Sequence, residues 1–244
     1  MVPKGILYLV PTGLGGEIAP LLPAATMDVL QGLEHFIVEK PKSARAFLKA
    51  VGYSRPLQAI AMQTLDEHTP HSAIAAMLRP LEDGHMCGLL SEAGCPAIAD
   101  PGAALIREAH RASLRVVPLV GPSALLLALM ASGLNGQRFA FHGYLPVERT
   151  ARVKKLAELE RESERVEVVQ VFIETPYRNE AVLDAVVACC QRDTLLCIAT
   201  DLTLPTESIR TLPVSEWKNT RSSLDRRPSV FLLYREKRVA GNAR

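Results

Sequence analysis

Side chains that can exchange protons stand at the ends of several short apolar runs in the sequence. Glu39, His68 and Glu92 each follow such a run, and Asp100 lies in the loop beyond Glu92. A positioned carboxylate or imidazole can take a proton from a hydroxyl or an amine. The alternative role is a cap or an ion-pair partner, and Asp100, directly before a proline, is typical of a helix N-cap. We therefore keep Glu39, His68 and Glu92 as candidate catalytic residues and interpret Asp100 as structural.

Three loops rich in glycine, proline and small residues also follow short apolar runs. They span Pro11–Glu17, Ser91–Gly102 and Pro118–Ala124. Small residues let backbone amides approach a ligand closely, and open α/β sheets bind ligands at the carboxyl ends of their strands. The loops therefore predict a pocket built largely from backbone. An ordinary glycine-rich turn remains the alternative for the first loop, and an N-cap role remains the alternative for Ser123.

The elements that would position these loops follow an alternating pattern. Short apolar runs alternate with amphipathic segments, which is typical of an α/β fold with parallel strands and crossover helices. The predicted strands are Ile6–Val10, His35–Glu39, Leu57–Met62, Met86–Ser91, Arg115–Val120, Phe139–Gly143, Glu167–Ile173, Leu195–Thr200, Glu207–Leu212 and Ser229–Tyr234. The predicted helices are Met27–Leu33, Ser43–Val51, Ser72–Leu81, Ala103–Arg111, Ser123–Ala131, Thr150–Glu164, Asn179–Cys190 and Ser215–Thr220.

These elements predict two α/β domains, residues 1–120 and 121–244. The first has a mainly parallel sheet. No helix separates the runs Leu195–Thr200 and Glu207–Leu212, so a hairpin and a mixed sheet are expected in the second domain. The uncharged stretch Val116–Gln137 is long enough to span a bilayer, but Pro118 and Pro122 interrupt it. We expect no membrane-spanning segment.

Composition narrows the class of protein without naming a partner. Hydrophobic residues make up 48% of the 244 residues and the formal net charge is +2, so a disordered chain and a strongly phosphate-seeking molecule are both disfavoured. A basic cluster at Arg149, Arg152, Lys154 and Lys155 could touch nucleic acid, but a solvated helix face is the favoured interpretation. The five cysteines contain no C-x-x-C pair and no His/Cys grouping with ligand spacing, so we expect reduced thiols, a cytoplasmic location and no metal.

Four ordered motifs make the sequence similar to a known superfamily. They are Ser91–Gly102, Val117–Ala124, Phe139–Pro146 and Phe172–Arg178. Together they resemble the tetrapyrrole methylase superfamily of S-adenosylmethionine-dependent methyltransferases, and within it the branch of the small-subunit ribosomal RNA 2′-O-methyltransferase I. The resemblance runs from about Leu7 to Tyr234, nearly the whole chain.

The resemblance implies a homodimeric enzyme with a five-stranded sheet in each domain and S-adenosylmethionine in the cleft between the domains. Its cofactor contacts would be Pro11, Ala93, Gly94, Cys95, Ile98, Ser123, Ala124, Glu174 and Pro228. The implied reaction is methyl transfer to ribosomal RNA. Methylation of a tetrapyrrole or another small metabolite, and a module that binds the cofactor without turnover, are the alternatives.

Two segments depart from the pattern of the ribosomal RNA branch. Where that branch typically has A-E-D-T-R-x-T-R-R, this chain keeps Glu39 and Arg45 but carries Lys40 for the aspartate and Lys42 for an arginine. Where it has H-E-H-N-E, this chain has Asp66–Pro70, which keeps Glu67 and His68 but lacks the terminal Asn-Glu. Both segments lie on the expected acceptor side, so the methylated atom stays open.

Overall fold

The chain folds into two compact units. The structure is a computed structural model that describes residues 3–217, 220, 224 and 226–237. The units divide after Ser123, three residues beyond the predicted boundary after Val120, and each contains one five-stranded sheet. The predicted fold class, α/β with a parallel first sheet and a mixed second sheet, is confirmed. The cofactor cleft that the resemblance implies stays a prediction.

The first sheet is entirely parallel. Its strands are β1 (Ile6–Val10), β2 (His35–Val38), β3 (Ala61–Thr64), β4 (Cys87–Leu90) and β5 (Arg115–Pro118). They lie in the order β3-β2-β4-β1-β5, and each neighbouring pair is parallel. All five carboxyl ends, and the loops that leave them, therefore open on one edge of the sheet.

Helices cover both faces of this sheet. They are α1 (Ala24–Gly32), α2 (Pro41–Ala50), α3 (His71–Ala76), α4 (Arg79–Glu82) and α5 (Ala103–Arg111). Successive strand residues point to opposite faces, so Val38 and Leu90 pack in one core with Leu30 of α1 and Phe47 of α2. Their neighbours Ile37 and Leu89 pack in a second core with residues of α3, α4 and α5.

The second sheet is mixed. Its strands are β6 (Phe139–Tyr144), β7 (Val169–Ile173), β8 (Leu195–Thr200), β9 (Ser208–Pro213) and β10 (Ser229–Tyr234), in the order β6-β7-β10-β8-β9. β6 and β7 are parallel, and the other pairs are antiparallel. The predicted hairpin is therefore confirmed as β8 and β9.

The helices of the second unit are α6 (Ala124–Ser132), α7 (Arg149–Val166), α8 (Asn179–Cys189) and α9 (Val214–Trp217). Its main core lies beneath α7, α8 and α9, where Phe172 of β7 stacks on Phe231 of β10 at 5.5 Å between ring centroids. The indole N–H of Trp217 donates to the Leu196 carbonyl at 2.9 Å and fixes α9 against the sheet. Within the described ranges, no helix has the length and apolar character that a bilayer crossing needs.

Prolines explain two differences from the predicted elements. The predicted strand Leu57–Met62 is wrong over its first four residues, because Pro56 begins a turn in which the Ala59 N–H donates to the Pro56 carbonyl at 3.0 Å. The predicted helix Ser72–Leu81 is two short helices, because Pro80 lacks the N–H that a continuous helix would need. The predicted helix Ser215–Thr220 begins at Val214, and residues 218 and 219 lie outside the described residues.

The start of β1 depends on the absence of a side chain at Gly5. Its N–H donates to the Leu81 carbonyl at 2.7 Å, and a Cβ there would lie 1.8 Å from the His85 carbonyl oxygen. We expect Gly5→Ala to lower the free energy of unfolding by about 1–3 kcal/mol or more, because backbone must move to admit the methyl group. Urea unfolding monitored by circular dichroism measures the difference.

Gly32→Ala is the matched control, because a Cβ at this last residue of α1 meets nothing within 4 Å. It should leave stability unchanged or raise it by up to about 1 kcal/mol. Equal unfolding midpoints for the two variants would contradict the close approach at Gly5.

Candidate functional site

The carboxyl edge of the first sheet contains a topological switch point between β1 and β4. These strands are neighbours, but the chain leaves β1 for β2 across one face and leaves β4 for β5 across the other. Chains that diverge in this way leave a crevice outside the strand ends, where open α/β sheets bind ligands. Pro11 and the predicted contacts Ala93–Cys95 lie on the two loops that border this crevice.

Hydrogen bonds hold these two loops together. The Thr12 N–H donates to the Gly94 carbonyl at 2.9 Å, and the Gly94 N–H donates to the Gly13 carbonyl at 3.4 Å. The Ser91 hydroxyl donates to the Gly94 carbonyl at 2.7 Å and lies 3.2 Å from the Thr12 hydroxyl. Thr12 and Ser91 were not among the predicted site residues. The sequence feature that could have indicated them is a small hydroxyl residue at or just beyond the carboxyl end of each of two predicted strands.

Gly94 occupies a backbone conformation that favours glycine. Its φ is +71°, and a Cβ would lie 3.2 Å from the Leu14 side chain and 3.5 Å from the Pro122 carbonyl oxygen. Cys95 also reaches that carbonyl, 3.5 Å from its Sγ, and burial raises the pKa of the Cys95 thiol. The loops after β1, β4 and β5 therefore meet around Gly94. The crevice expected at this switch point is the concavity into which a side chain at position 94 would extend, toward Leu14 and Pro122.

The loop after β4 holds further strained backbone. Ala97 and Ala99 have φ values of +64° and +61°, although neither is glycine. Such conformations cost about 1–3 kcal/mol each and cluster at ligand sites. Ala93 and Ile98 of the same loop are exposed, as is expected of residues that a ligand would cover. In the third loop, Ser123 directly precedes α6.

A mixed-charge cluster lies beside these loops. The Lys40 ammonium is 3.5 Å from a Glu39 carboxylate oxygen and 3.6 Å from a Glu92 oxygen, and the charges of Glu39 and then Glu92 raise the pKa of Lys40. Burial, followed by the charges of Glu39 and Glu92, raises the pKa of the Asp100 carboxyl to about 6. The structure thus brings together Glu39 and Glu92, which were predicted as catalytic, with Lys40, which was not, and with Asp100, which was interpreted as a helix cap.

The interpretation of Asp100 as a helix cap is wrong. α5 begins at Ala103, its N-cap residue is Gly102 with a φ of +146°, and no side chain caps it. Two residues separate the Asp100 carboxylate from the first helical turn, so it is directed to the charged cluster instead. The Asp-Pro pair indicates a helix start at the proline, but the strained loop continues past it and α5 begins two residues later.

His68 lies away from this cluster. It follows β3, the edge strand, and its side chain is 84% exposed. Its Nε2 is 3.5 Å from the Glu67 carboxylate, and its backbone N–H donates to Asp66 at 3.0 Å. Among the described residues, no hydrogen bond or ion pair joins His68 to Glu39 or Glu92. Neighbouring strands are about 4.8 Å apart, so β3 lies about 10 Å from β4 at this edge.

Glu174 is buried in the second unit with one carboxylate oxygen unused. Its side chain is 0% exposed. Oε1 accepts from the Thr175 N–H at 2.7 Å and from Arg178 Nε at 3.0 Å, and it also pairs with the Arg178 terminal nitrogen. Oε2 is buried and has no hydrogen-bond partner among the described residues. A buried carboxylate oxygen without a donor is costly, so this atom is suited to accept one from a ligand.

Pro228 lies at the same edge of the second sheet as Glu174. β10 is antiparallel to β7, so the start of β10 is beside the end of β7. The Asn179 side-chain amide donates to the Arg227 carbonyl at 2.7 Å and to the Ser229 hydroxyl at 3.2 Å, which fixes the chain on both sides of Pro228. Asn179, which positions this segment, was not among the predicted site residues.

Known proteins resemble this chain in sequence over most of its length. It is 33% identical over 213 residues to the ribosomal RNA small subunit methyltransferase I of Escherichia coli O157:H7, which covers 87% of this chain and 71% of the relative. It is 32% identical over 219 residues to the protein of the same name from Vibrio cholerae serotype O1, covering 88% of this chain and 72% of that one. No protein-family model matches the chain.

Solved structures share the fold at much lower sequence identity. The methyltransferase CobJ superposes with a TM-score of 0.64 and 17% identity, covering 97% of this chain and 98% of CobJ. The cobalamin biosynthetic enzyme cobalt precorrin-4 methyltransferase, CbiF, gives 0.61 and 16%, covering 96% of this chain and 98% of that one. These structures establish the fold, and the sequence relatives establish the family. The chain therefore belongs to the ribosomal RNA small subunit methyltransferase I family of methyltransferases.

Proposed function

We propose that this enzyme transfers a methyl group from S-adenosylmethionine to a ribose 2′-hydroxyl of small-subunit ribosomal RNA. The observation that carries the proposal is the pairing of a backbone-built concavity around Gly94 with a carboxylate cluster at the same sheet edge, in a chain of this family. The first feature suits a cofactor, and the second suits an acceptor that must lose a proton. A cytoplasmic location and a homodimer stay predictions.

The residues present fit S-adenosylmethionine. The concavity at Gly94 is bordered by the apolar Leu14 side chain and the Pro122 carbonyl, which suits a ligand held by apolar contact and a few backbone groups. The free Oε2 of Glu174 can accept a hydrogen bond from a hydroxyl or an ammonium group. Pro11, Ala93, Cys95, Ile98, Ser123, Ala124 and Pro228 complete the proposed contact set. When bound, the cofactor supplies a methyl group already activated on a sulfonium.

Asp100 is the proposed base. Its pKa of about 6 leaves the carboxylate ionised near pH 7, yet makes it a stronger base than an ordinary aspartate. It would accept the proton of the ribose hydroxyl that receives the methyl group, while the electron pair of the broken carbon–sulfur bond would stay on the sulfur of the cofactor. Burial raises that pKa most, and the charges of Glu39 and Glu92 raise it further. In this proposal the two glutamates flank the acceptor.

Lys40 and His68 complete the proposed acceptor side. Lys40 partly offsets the negative charge, because its ammonium lies between the two glutamates. His68 is too exposed to be held for proton transfer, so its proposed role is contact with the RNA. Family membership makes the chain an enzyme and sets aside the alternative of a module without turnover. No feature of the described residues specifically favours a tetrapyrrole acceptor.

The cofactor site is tested by Gly94→Leu. We expect the folded variant to lose detectable binding of S-adenosylmethionine in titration calorimetry, because the side chain enters the concavity and strains a φ of +71°. Gly52→Leu is the matched control, since Gly52 has a φ of +69° but open space around it. The control should bind the cofactor like the wild type. Binding by folded Gly94→Leu would show that the pocket lies elsewhere.

The catalytic assignment is tested by four single variants at saturating cofactor. Asp100→Asn should lower kcat for methylation of small-subunit RNA about a hundredfold or more, the usual scale of positioned proton transfer, without changing cofactor affinity. Glu39→Gln and Glu92→Gln should lower the rate and move the acidic limb of the pH–rate profile to lower pH, because each removes a like charge beside Asp100. His68→Ala should raise KM for RNA and leave kcat near wild type. A near-normal kcat for Asp100→Asn would refute the proposed base.

The environment of Asp100 is also tested by stability against pH. Its pKa is raised in the folded state, so between about pH 4 and pH 6 the folded protein keeps a proton that the unfolded chain has lost. The free energy of unfolding should therefore fall as pH rises through this window. Asp100→Asn removes this loss of stability. The melting temperature of the variant minus that of wild type should therefore be more positive at pH 8 than at pH 4. An exposed-carboxylate control, Asp184→Asn, measures the effect of removing one surface charge. If the melting-temperature difference between Asp100→Asn and wild type were the same at pH 4 and pH 8, the raised pKa of Asp100 would be contradicted.

A further inference from the structure

α2 has two chemically different faces. Ala44, Phe47 and Leu48 are buried in the core against the first sheet. Lys42, Arg45 and Lys49 are all exposed. Their spacing of three and four residues places them on one stripe of the helix, away from the buried side chains. The stripe is about 10 Å long, since seven residues rise about 1.5 Å each.

The basic stripe of α2, defined by Lys42, Arg45 and Lys49, is not neutralised by the protein. α2 contains no acidic residue. Within the described ranges, none of the three cations forms an ion pair. Among the helices that the structure describes, α2 alone combines three Lys or Arg residues with no carboxylate. Such a surface carries a local positive field that a chain of net charge +2 does not have as a whole.

α7 shows the contrast. Its outer face carries Lys154, Arg161 and Arg165, but Glu158 and Glu162 lie between them. Arg152, part of the basic cluster noted in the sequence, is buried and donates to the Val147 carbonyl at 3.0 Å. The exposed part of α7 is therefore a solvated face of mixed charge, which agrees with the interpretation of the sequence.

The position of the basic stripe links it to the charged cluster. β2 ends at Val38, Glu39 and Lys40 follow, and α2 begins at Pro41. The stripe therefore starts two residues beyond Lys40 and runs away from the carboxyl edge of the sheet. Because Lys40 contacts Glu39 and Glu92 beside Asp100, the first turn of α2 lies close enough for a polymer with one group at Asp100 to reach the stripe.

We propose that the basic stripe of α2 binds the phosphate backbone of the RNA substrate beside the nucleotide that is methylated. This rests on the proposed function. Lysine and arginine bind phosphates without reading sequence, and such contacts set the register of a protein on nucleic acid. The stripe thus positions the strand, while Asp100 acts on a single hydroxyl.

The test compares two triple variants that remove the same charge. Lys42→Ala/Arg45→Ala/Lys49→Ala removes the stripe, and Lys154→Ala/Arg161→Ala/Arg165→Ala is the control on α7. All six side chains are exposed, so melting temperature and S-adenosylmethionine affinity should match wild type. The probes are small ribosomal subunits, and RNA extracted from them, prepared from Escherichia coli cells that lack their own relative of this chain.

For the α2 variant, we expect the slope of log binding constant against log salt concentration to become about 2 less negative. Each lost phosphate contact on a single strand accounts for about 0.7 of this change. Its KM for RNA should rise about tenfold while kcat is kept. The α7 control should keep the wild-type slope and KM. A charge-preserving variant, Lys42→Arg/Arg45→Lys/Lys49→Arg, should restore most of the slope.

Three results would overturn the proposal. Equal losses in the α2 and α7 variants would show that net charge matters and the stripe does not. An unchanged slope and KM in the α2 variant, with a wild type that methylates the RNA, would leave the proposed function standing and remove only the role of α2. A wild type that binds cofactor but neither binds nor methylates either probe would remove the proposed function, and the stripe's role with it.

Discussion

The Thr12 N–H and the Gly94 carbonyl meet 2.9 Å apart beyond the ends of β1 and β4, and much of the first unit's site depends on this bond. It extends the pairing of two parallel strands into their loops. The Ser91 hydroxyl donates to the same carbonyl, and the Gly94 oxygen therefore accepts two hydrogen bonds. A net hydrogen bond contributes only about 1 kcal/mol, but leaving such a buried group unpaired costs more. The bond therefore fixes where the loops diverge and where the concavity opens.

The two units use different means to hold their candidate contacts. In the first, backbone strain and glycine shape the loop after β4. In the second, side chains position the contacts, and Arg178 pairs with the buried Glu174 carboxylate and orients it. Removing one partner of a buried ion pair is strongly destabilising, because the other charge is left uncompensated. Substitutions at Arg178 would therefore affect folding as well as any contact that Glu174 makes.

The sequence predicted the fold class, most strands and the loops of the candidate site, because these depend on periodicity and on local turn residues. It could not predict the direction of Asp100, because that depends on positive φ values at Ala97 and Ala99, which no local pattern indicates. His68 was grouped with Glu39 and Glu92 because all three were predicted to follow strands. Strand order, which only the tertiary fold reveals, puts β3 at the sheet edge and His68 in solvent.

The ion pairs of Lys40 leave the neighbourhood of Asp100 with an excess of negative charge, since one ammonium faces Glu39 and Glu92. A phosphodiester is repelled by such a neighbourhood, whereas a neutral hydroxyl is not. The basic stripe of α2 begins only two residues away. In the proposed complex, the enzyme thus sorts the parts of one nucleotide by charge, holding the anionic linkage outside and admitting only the uncharged sugar oxygen to the base.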